Sequence, residues 1–429
     1  MKKIVSVLAI ASLAAASVFA QPKISMNYRT RPIVFDFNQV KVGDAKTKSM
    51  TFLDLDGYAA SQDNFSFSVS GEKAGVNFTF MPTATTKSND GFRINTYNAW
   101  MKFGGLQLAA GAWKDGVADG GYRVKKDVDA GNFEGVEMER FKLGGAFKTQ
   151  TTFIDNMVSF AGSDNNLSMY AEYGININDN MKLNILASAI TNEWYKGTDK
   201  DGDDETSKTL ASGFGCRVQF NMKDTFNVEA IVKSSANRNV AAGLYFQPKM
   251  VKNLDATVGG AFSFVNDTAK QESAFEGWNV DLRARYQINE QFSITTFNSI
   301  SAIDAEAGAQ AAAGLAGATG KLGWAANANA DAAVPVKMLL WDTIDARYVI
   351  NEKIAAFLNV GLLTPIQKVD NDDNKYSPEW RVTPGVQIYA QGGAAITVDV
   401  ALSGTSVEIG DVKSSVFDIA IPMTFRVKL

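Results

Sequence analysis

Apolar side chains alternate with polar or small ones over the final segment of the chain, FDIAIPMTFRVKL. A period of two is the repeat of a β-strand, whose successive side chains point to opposite faces. The segment is therefore predicted to be a long strand with one apolar face. That face consists of Phe417, Ile419, Ile421, Met423, Phe425, Val427 and Leu429.

The same alternation recurs along most of the chain, for example in LSMYAEYGINI, TLASGFGCRVQF, GWNVDLRARYQI and AITVDVAL. Segments of about ten residues with one apolar and one polar face are typical of transmembrane β-strands. Beyond the first residues there is no apolar run of about eighteen residues, the length of a transmembrane helix. Because only helices and closed barrels satisfy the backbone in a bilayer, a membrane location requires a barrel.

Residues 1–20 have the pattern of a secretory signal peptide: Lys2 and Lys3, then an apolar stretch, then small residues up to Ala20. We expect this segment to be cleaved during export. Residues 21–429 are then predicted to form a single barrel domain.

The connections between the alternating segments fall into two classes. Tight turns are predicted at 71–73, 104–105, 144–145, 178–180, 289–291, 351–353 and 392–393. Long connections are predicted at 82–91, 114–133, 191–207, 266–275, 303–335, 363–378 and 405–412. Outer-membrane barrels have short periplasmic turns and long external loops. The sequence therefore predicts an all-β, antiparallel, up-and-down transmembrane barrel of about 20 strands (18–22).

A soluble barrel or sandwich would turn the apolar faces inward. A barrel of some twenty strands encloses a lumen too wide for side chains to fill, and a sandwich of this size leaves long sheet edges. The opposite arrangement, with apolar side chains against lipid, requires neither a lumen filled by side chains nor long exposed sheet edges. The charged residues between the apolar ones are then predicted to line the pore: Glu172, Arg217, Glu229, Lys233, Asp281, Arg283, Arg285, Arg381, Asp399, Asp418, Arg426 and Lys428.

On these features the chain resembles porin-type outer-membrane β-barrels of diderm bacteria, with a spirochaete as one candidate source. In that class the last strand carries a sorting signal, and Phe425, Val427 and Leu429 fit its alternation. The final residue is Leu where the class favours an aromatic residue. The resemblance implies recognition of this strand by the barrel-assembly machinery, by strand addition.

Composition removes several functions. The chain has no His, which excludes Ser-His and Cys-His nucleophile pairs and His-containing metal sites. Its one Cys, Cys216, excludes a disulfide framework. Without Lys2 and Lys3 the chain has 40 basic and 46 acidic residues, a net charge of −6, which argues against nucleic acid as a partner. No enzyme activity and no cofactor are predicted.

Three local features have both a specific and a general interpretation. Arg283 and Arg285 project from one strand face, and form either a charged constriction or part of a solvated pore wall. The acidic stretch 196–208 lacks the EF-hand spacing and is predicted to be an exposed loop, with no metal site. The Ala-rich stretch 305–333 is either a loop that narrows the pore or a surface loop.

The predicted function is an outer-membrane porin, a passive water-filled channel for small hydrophilic solutes. One alternative is a plugged barrel that acts as a surface adhesin or structural protein. Another is a substrate-specific transporter for sugars or fatty acids, and an outer-membrane hydrolase is disfavoured by the lack of His. The predicted partners are outer-membrane lipid, the assembly machinery and small solutes. A homo-oligomer is compatible with the sequence.

Overall fold

A computed structural model describes most of the chain after the predicted signal peptide. Its residues are 23–30, 32–54, 64–82, 92–112, 132–133, 136–137, 167–191, 195–198, 204–207, 213–234, 240–267, 272–303, 336–367, 374–390, 393–409 and 411–428. The signal peptide, the turn predicted at 144–145, the stretch 305–333 and Leu429 lie outside these ranges. Within them, no helix has the length and hydropathy needed to span a membrane.

The described residues fold into antiparallel β-strands. In chain order these are β1 (Lys23–Thr30), β2 (Ile33–Val42), β3 (Ala45–Asp54), β4 (Asn64–Ser70), β5 (Ala74–Pro82), β6 (Phe92–Phe103), β7 (Leu106–Ala112), β8 (Asn132–Phe133), β9 (Val136–Glu137), β10 (Leu167–Asn178), β11 (Met181–Thr191), β12 (Tyr195–Thr198), β13 (Asp204–Ser207), β14 (Gly213–Met222), β15 (Phe226–Ser234), β16 (Val240–Pro248), β17 (Leu254–Asp267), β18 (Glu272–Gln287), β19 (Phe292–Ile303), β20 (Val336–Asn351), β21 (Ile354–Gln367), β22 (Asn374–Tyr376), β23 (Glu379–Ala390), β24 (Ala394–Asp399), β25 (Ala401–Ile409) and β26 (Val412–Lys428).

One sheet closes on itself and forms the barrel wall. Four pairs of strands, β1 with β2, β3 with β4, β22 with β23 and β24 with β25, are successive parts of a single wall strand. In the described ranges the wall therefore has 18 strand positions. The last strand, β26, pairs with β1 and β2, so no position is left as an open end. Sequence neighbours are wall neighbours throughout, as in an up-and-down barrel, which confirms the predicted fold class.

The preferred count of 20 strands is too high by two, although 18 lies within the predicted range. The difference arises after β7, which pairs directly with β10 through Leu108 and Ala171. The two strands expected on either side of the turn at 144–145 are therefore not inserted between them. Within the segment between β7 and β10, β8 and β9 form a short hairpin. β9 contacts the last wall strand, β26.

Two prolines lie at the seam between the first and last wall strands. The register of β2 against β26 shifts between Ile33 and Phe35, and Pro422 lies opposite this irregularity. The backbone pairing continues beyond the break, because the Met423 amide donates a hydrogen bond to the Pro32 carbonyl at 2.9 Å. Because proline lacks an amide donor, it is tolerated at such irregularities.

Asparagine side chains close the tight turns that share an Ile-Asn-acid pattern. Asn289 Oδ1 accepts hydrogen bonds from the Gln291 and Phe292 amides at 2.9 and 2.8 Å. Asn351 Oδ1 accepts from the Lys353 and Ile354 amides at 2.8 and 3.0 Å. In Asn178 the same oxygen accepts from the Asn180 amide at 2.9 Å. The predicted hairpins are therefore formed, and the side chain supplies their hydrogen bonds.

At the opposite end of the barrel several strands extend further than expected. The connection predicted at 405–412 is wrong, because β25 continues to Ile409 and β26 begins at Val412. The expected connections 266–275 and 363–378 are also partly strand, since β17 ends at Asp267 and β21 at Gln367. Polar residues occupy both faces of these outer parts, so the alternation that marks a strand is weak there.

Candidate pore-lining face

Each wall strand separates exposed apolar side chains from buried polar ones. On β18, Asp281 is fully buried between Val280 and Leu282, which are 46% and 38% exposed. On β14, Arg217 is buried beside the exposed Val218. We call the buried side of the wall the polar face and the other side the apolar face. In a closed barrel the face that is buried is the one that points inward.

A first group of charges on the polar face joins β10, β14 and β15. Arg217 forms an ion pair with Glu172, with 3.5 Å between Nη2 and Oε1. On the next row, Gln219 Nε2 donates to Glu229 Oε2 at 2.7 Å, and both side chains are buried. Burial of a carboxylate is costly unless it is paired or hydrogen-bonded, and these contacts supply partners.

Amides and a hydroxyl continue this network without charge. Asn227 Nδ2 donates to Gln247 Oε1 at 2.9 Å, and Gln247 Nε2 donates to Thr257 Oγ1 at 3.0 Å. These bonds run across β15, β16 and β17, perpendicular to the strands. They end on β17 beside the arginines of β18, since Thr257 is the register partner of Arg283.

Three arginines lie together on β18 and β20, and we call them the arginine cluster: Arg283, Arg285 and Arg347. Arg283 Nη1 contacts Asp255 Oδ2 at 3.2 Å. Arg285 experiences the charges of Arg347 and Arg283, and also those of Asp255 and Asp345. Arg285 therefore lies near two further cations and two carboxylates, and the fully buried Asp281 lies two residues from Arg283 on the same face of β18.

A buried chain of hydrogen bonds continues from the cluster towards the seam. Arg347 Nη2 donates to the Tyr389 hydroxyl at 3.0 Å, and this hydroxyl donates to Gln387. Gln387 Nε2 then donates to Thr397 Oγ1 at 3.1 Å. Arg347 reaches across β21, where Ala355 is fully buried beneath the contact. The small side chain leaves room for the arginine.

Two of the three predicted site residues on β26 form contacts across the seam. Asn38 Nδ2 donates to Asp418 Oδ1 at 3.0 Å. Arg426 Nε donates to Asn27 Oδ1 at 3.1 Å. These bonds join the last strand to β1 and β2, at some distance along the wall from the arginine cluster.

The structure thus describes ten of the twelve predicted pore-lining side chains. Five of them are fully or almost fully buried, with exposures of 0–4%: Arg217, Glu229, Asp281, Arg381 and Asp399. Lys233 and Lys428 lie in β15 and β26, and their side chains are outside the described set. The structure brings Glu172 to Arg217 and Arg283 to Arg285, but keeps Asp418 and Arg426 apart from both groups.

Sequence reasoning missed three charged members of the polar face: Asp255, Asp345 and Arg347. Asp345 and Arg347 are 1% and 5% exposed, between the exposed Ile344 and Tyr348 on β20. The stretch TIDARYVI carries the same period-two signal as the segments used for prediction, so it could have been found. The buried aromatic rings of Tyr245 and Phe297 on this face have no such signal.

In the described ranges no three Asp, Glu or Cys side chains are grouped as metal ligands. Cys216 is exposed on the apolar face. The chemistry of the polar face is therefore that of charges and hydrogen-bonding groups.

The described strands thus form a closed antiparallel wall with a mainly apolar outside and a polar, charged inside. Among solved structures, the chain is similar to OccK2 (OpdF) of Pseudomonas aeruginosa, with a TM-score of 0.51, 9% identity and coverage of 96% of this chain and 99% of that one. It is also similar to OpdL of Pseudomonas aeruginosa, with a TM-score of 0.50, 9% identity and coverage of 96% and 100%.

A BenF-like porin from Pseudomonas fluorescens Pf-5 is a third similar structure, with a TM-score of 0.50, 7% identity and coverage of 96% and 100%. No family model matches the chain, and no curated protein matches it. At these identities the likeness is one of fold. The three sources are Pseudomonas species and give no support to a spirochaetal origin.

Proposed function

We propose that this protein is an outer-membrane porin that forms a passive, water-filled channel for small hydrophilic solutes. The observation that carries the proposal is the separation of faces around a closed wall. Exposed aliphatic and aromatic side chains cover the outside, and charged and amide side chains occupy the inside. This is the arrangement that suits lipid outside and polar solutes inside.

The wall would be unfavourable in water, since side chains such as Phe214, Tyr173 and Leu244 are 55%, 51% and 60% exposed. In a bilayer the same side chains contact hydrocarbon. Uncharged side chains predominate on this face, where a basic side chain at the bilayer midplane would cost about 2–4 kcal/mol. Asp342, which accepts a hydrogen bond from Asn298, is an exception. The outer membrane, reached after cleavage of residues 1–20, is therefore the location that we propose.

The predicted pore-lining residues, extended by Asp255, Asp345 and Arg347, are proposed to set selectivity. The arginine cluster brings three cations together on the polar face, where Asp255 and Asp345 also lie. Charged side chains that face a pore favour ions and solutes of opposite sign. We therefore expect anionic solutes to be preferred over cationic ones.

A narrow, substrate-selective channel is the second candidate. It is favoured by the burial of inward side chains, because Glu229, Asp281 and Thr383 have 0% exposure and are not open to a wide lumen. The connection between β7 and β10 also contacts β26 through β9. Such a channel would admit one class of small solute and exclude others of similar size.

Assembly and partners follow from the last strand and the apolar face. We propose that β26, including Phe425 and Val427, is recognised by the barrel-assembly machinery through strand addition. The apolar face fits surrounding lipid, and it also fits a second copy of the chain in a homo-oligomer. Neither the pore nor these contacts require an enzymatic activity or a cofactor.

Liposome swelling distinguishes the candidate functions. Vesicles that contain the refolded protein are diluted into isosmotic solutions of sugars of increasing size, and of carboxylated and aminated solutes. A general porin admits all small solutes with rates that fall with size, and a selective channel admits one class. Absence of swelling with every solute would contradict both and support a plugged barrel.

A further inference from the structure

The apolar face changes character along the seam strands, towards the end of the barrel away from the termini. Along β2 the side chains on this face are Phe35, Phe37, Gln39 and Lys41 in succession. The ring of Phe35 contacts that of Phe52, with centroids 5.3 Å apart. Phe37 and Lys41 are separated by four residues, or about 13 Å of extended strand. The surface therefore passes from hydrocarbon-like to cationic within that distance.

Aromatic rings mark the boundary between these regions. Trp380 on β23 is the register partner of Gly404 on β25, and Gly404 is the register partner of Phe417 on β26, so the three residues lie on one row across the strands. The ring centroids of Trp380 and Phe417 are 6.3 Å apart. Phe417 is also the register partner of Gln39. Tryptophan and other aromatic residues concentrate at the level of the lipid headgroups. The row that contains Gln39 is thus the expected headgroup level.

Three lysines lie at this row and directly beyond it, and we call them the lysine patch: Lys41, Lys46 and Lys48. Lys41 is the register partner of Lys46, and Lys48 is the partner of Gln39. All three are therefore on one face of a two-strand hairpin, and all three are exposed. Like charges directly opposite each other on antiparallel strands repel and are destabilising.

No acidic side chain compensates this charge in the described part of the protein, where none of the three lysines forms an ion pair. Their neighbours on the next strand of the same face are Ser415 and Phe417. By contrast, Glu408 lies between Lys375 and Lys413 on adjoining strands. The lysine patch is thus a concentration of positive charge that an external anion would neutralise.

We propose that the lysine patch binds the phosphate of an anionic lipid headgroup in the membrane leaflet at this end of the barrel. Two observations together identify a lipid as the ligand. Charge complementarity requires an anion, and the apolar surface directly below the lysines, including Met50 and Phe52 at 59% and 69% exposure, accommodates acyl chains. The lysine stems can extend from the apolar region to the headgroup level. This site lies outside the pore and does not depend on conduction.

The test measures lipid binding by the refolded full chain in neutral detergent micelles. The probe is fluorescent phosphatidic acid, with phosphatidylcholine as the zwitterionic comparison. The triple variant Lys41→Gln, Lys46→Gln, Lys48→Gln is compared with the matched control Lys223→Gln, Lys249→Gln, Lys252→Gln, which removes three exposed lysines from turns at the opposite end.

We expect the patch variant to bind phosphatidic acid about a hundredfold more weakly, from roughly a factor of five per lysine. The control variant should bind it as the unmodified protein does, and phosphatidylcholine binding should be the same in all three proteins. An excess of inorganic phosphate should compete poorly, because it lacks the acyl chains. Equal weakening in both variants, no change in the patch variant, or full competition by inorganic phosphate would each overturn the proposal.

Discussion

Individual glycines on the polar face permit close contact with aromatic rings of the neighbouring strand. The ring of Tyr245 lies over Gly243 and Gly259, and the ring of Phe357 lies over Gly385. A Cβ at Gly259 would meet the Leu244 carbonyl oxygen and backbone of Tyr245, at distances shorter than van der Waals contact. Because backbone cannot move aside as a side chain does, this position requires glycine.

Gly259→Ala is therefore expected to destabilise the barrel by about 1–3 kcal/mol, as overpacking does in other close-packed sites. The measurement is the temperature at which the folded band converts to the unfolded band in gel electrophoresis without boiling. Gly174→Ala is the matched control, because a Cβ there would meet only the ends of the Asn184 and Lys182 side chains at 3.0 and 3.4 Å before reaching backbone. Equal midpoints for the two variants would contradict the packing argument.

The arginine cluster gives a second prediction for single residues. Arg283→Gln together with Arg285→Gln removes two of the three cations and leaves Asp255 and Asp345 in place. The reversal potential in a KCl gradient should shift towards cation selectivity, since two positive charges are lost from the pore wall. The control, Lys249→Gln with Lys252→Gln, makes the same change of charge in an exposed turn and should leave the potential unaltered.

Single elements show where sequence reasoning succeeds. Three hairpins were predicted from Ile-Asn-acid segments, and in each the asparagine side chain accepts backbone hydrogen bonds. None of these three asparagines adopts the left-handed backbone conformation that asparagine also tolerates. The described non-glycine residues with positive φ are Leu53, Asp224 and Asn253. The sequence signal therefore reflects hydrogen bonding by the side chain in these turns.

Asn289→Ala should remove two acceptor interactions from the turn between β18 and β19. The expected cost is about 1 kcal/mol, from amides that lose their partner and hydrogen-bond to water instead. Urea titration of the protein in micelles measures the loss, and Glu290→Ala in the same turn is the control. A loss as large in Glu290→Ala, or no loss in Asn289→Ala, would contradict this role of the asparagine side chain.

Elements outside the apolar band were predicted less well. The outer parts of β17, β21 and β25 were assigned to loops because polar side chains occur on both of their faces. Period-two alternation requires two different environments, and such segments have only one. The β2–β3 hairpin shows the same effect, since β3 is exposed on both faces from Ala45 to Leu53.

At the scale of the whole molecule, alternation and turn classes predicted the closed antiparallel barrel. The strand number was less accurate, because no local pattern tells that β7 pairs with β10 across the residues between them. The charged residues of the polar face were likewise identified only in part. Charged residues on alternating strands were found, whereas the arginine cluster depends on the register that brings Arg347 and Asp345 beside Arg285.

The central claim is that this wall encloses an open, passive channel, and single-channel recording of the refolded protein tests it most directly. In a planar bilayer, with residues 21–429 alone, the account predicts stable stepwise openings and a reversal potential on the anion-selective side. Insertion of a heat-modifiable barrel that carries no current would contradict an open pore. That result would leave a plugged barrel, whose function would then lie in its outer surface.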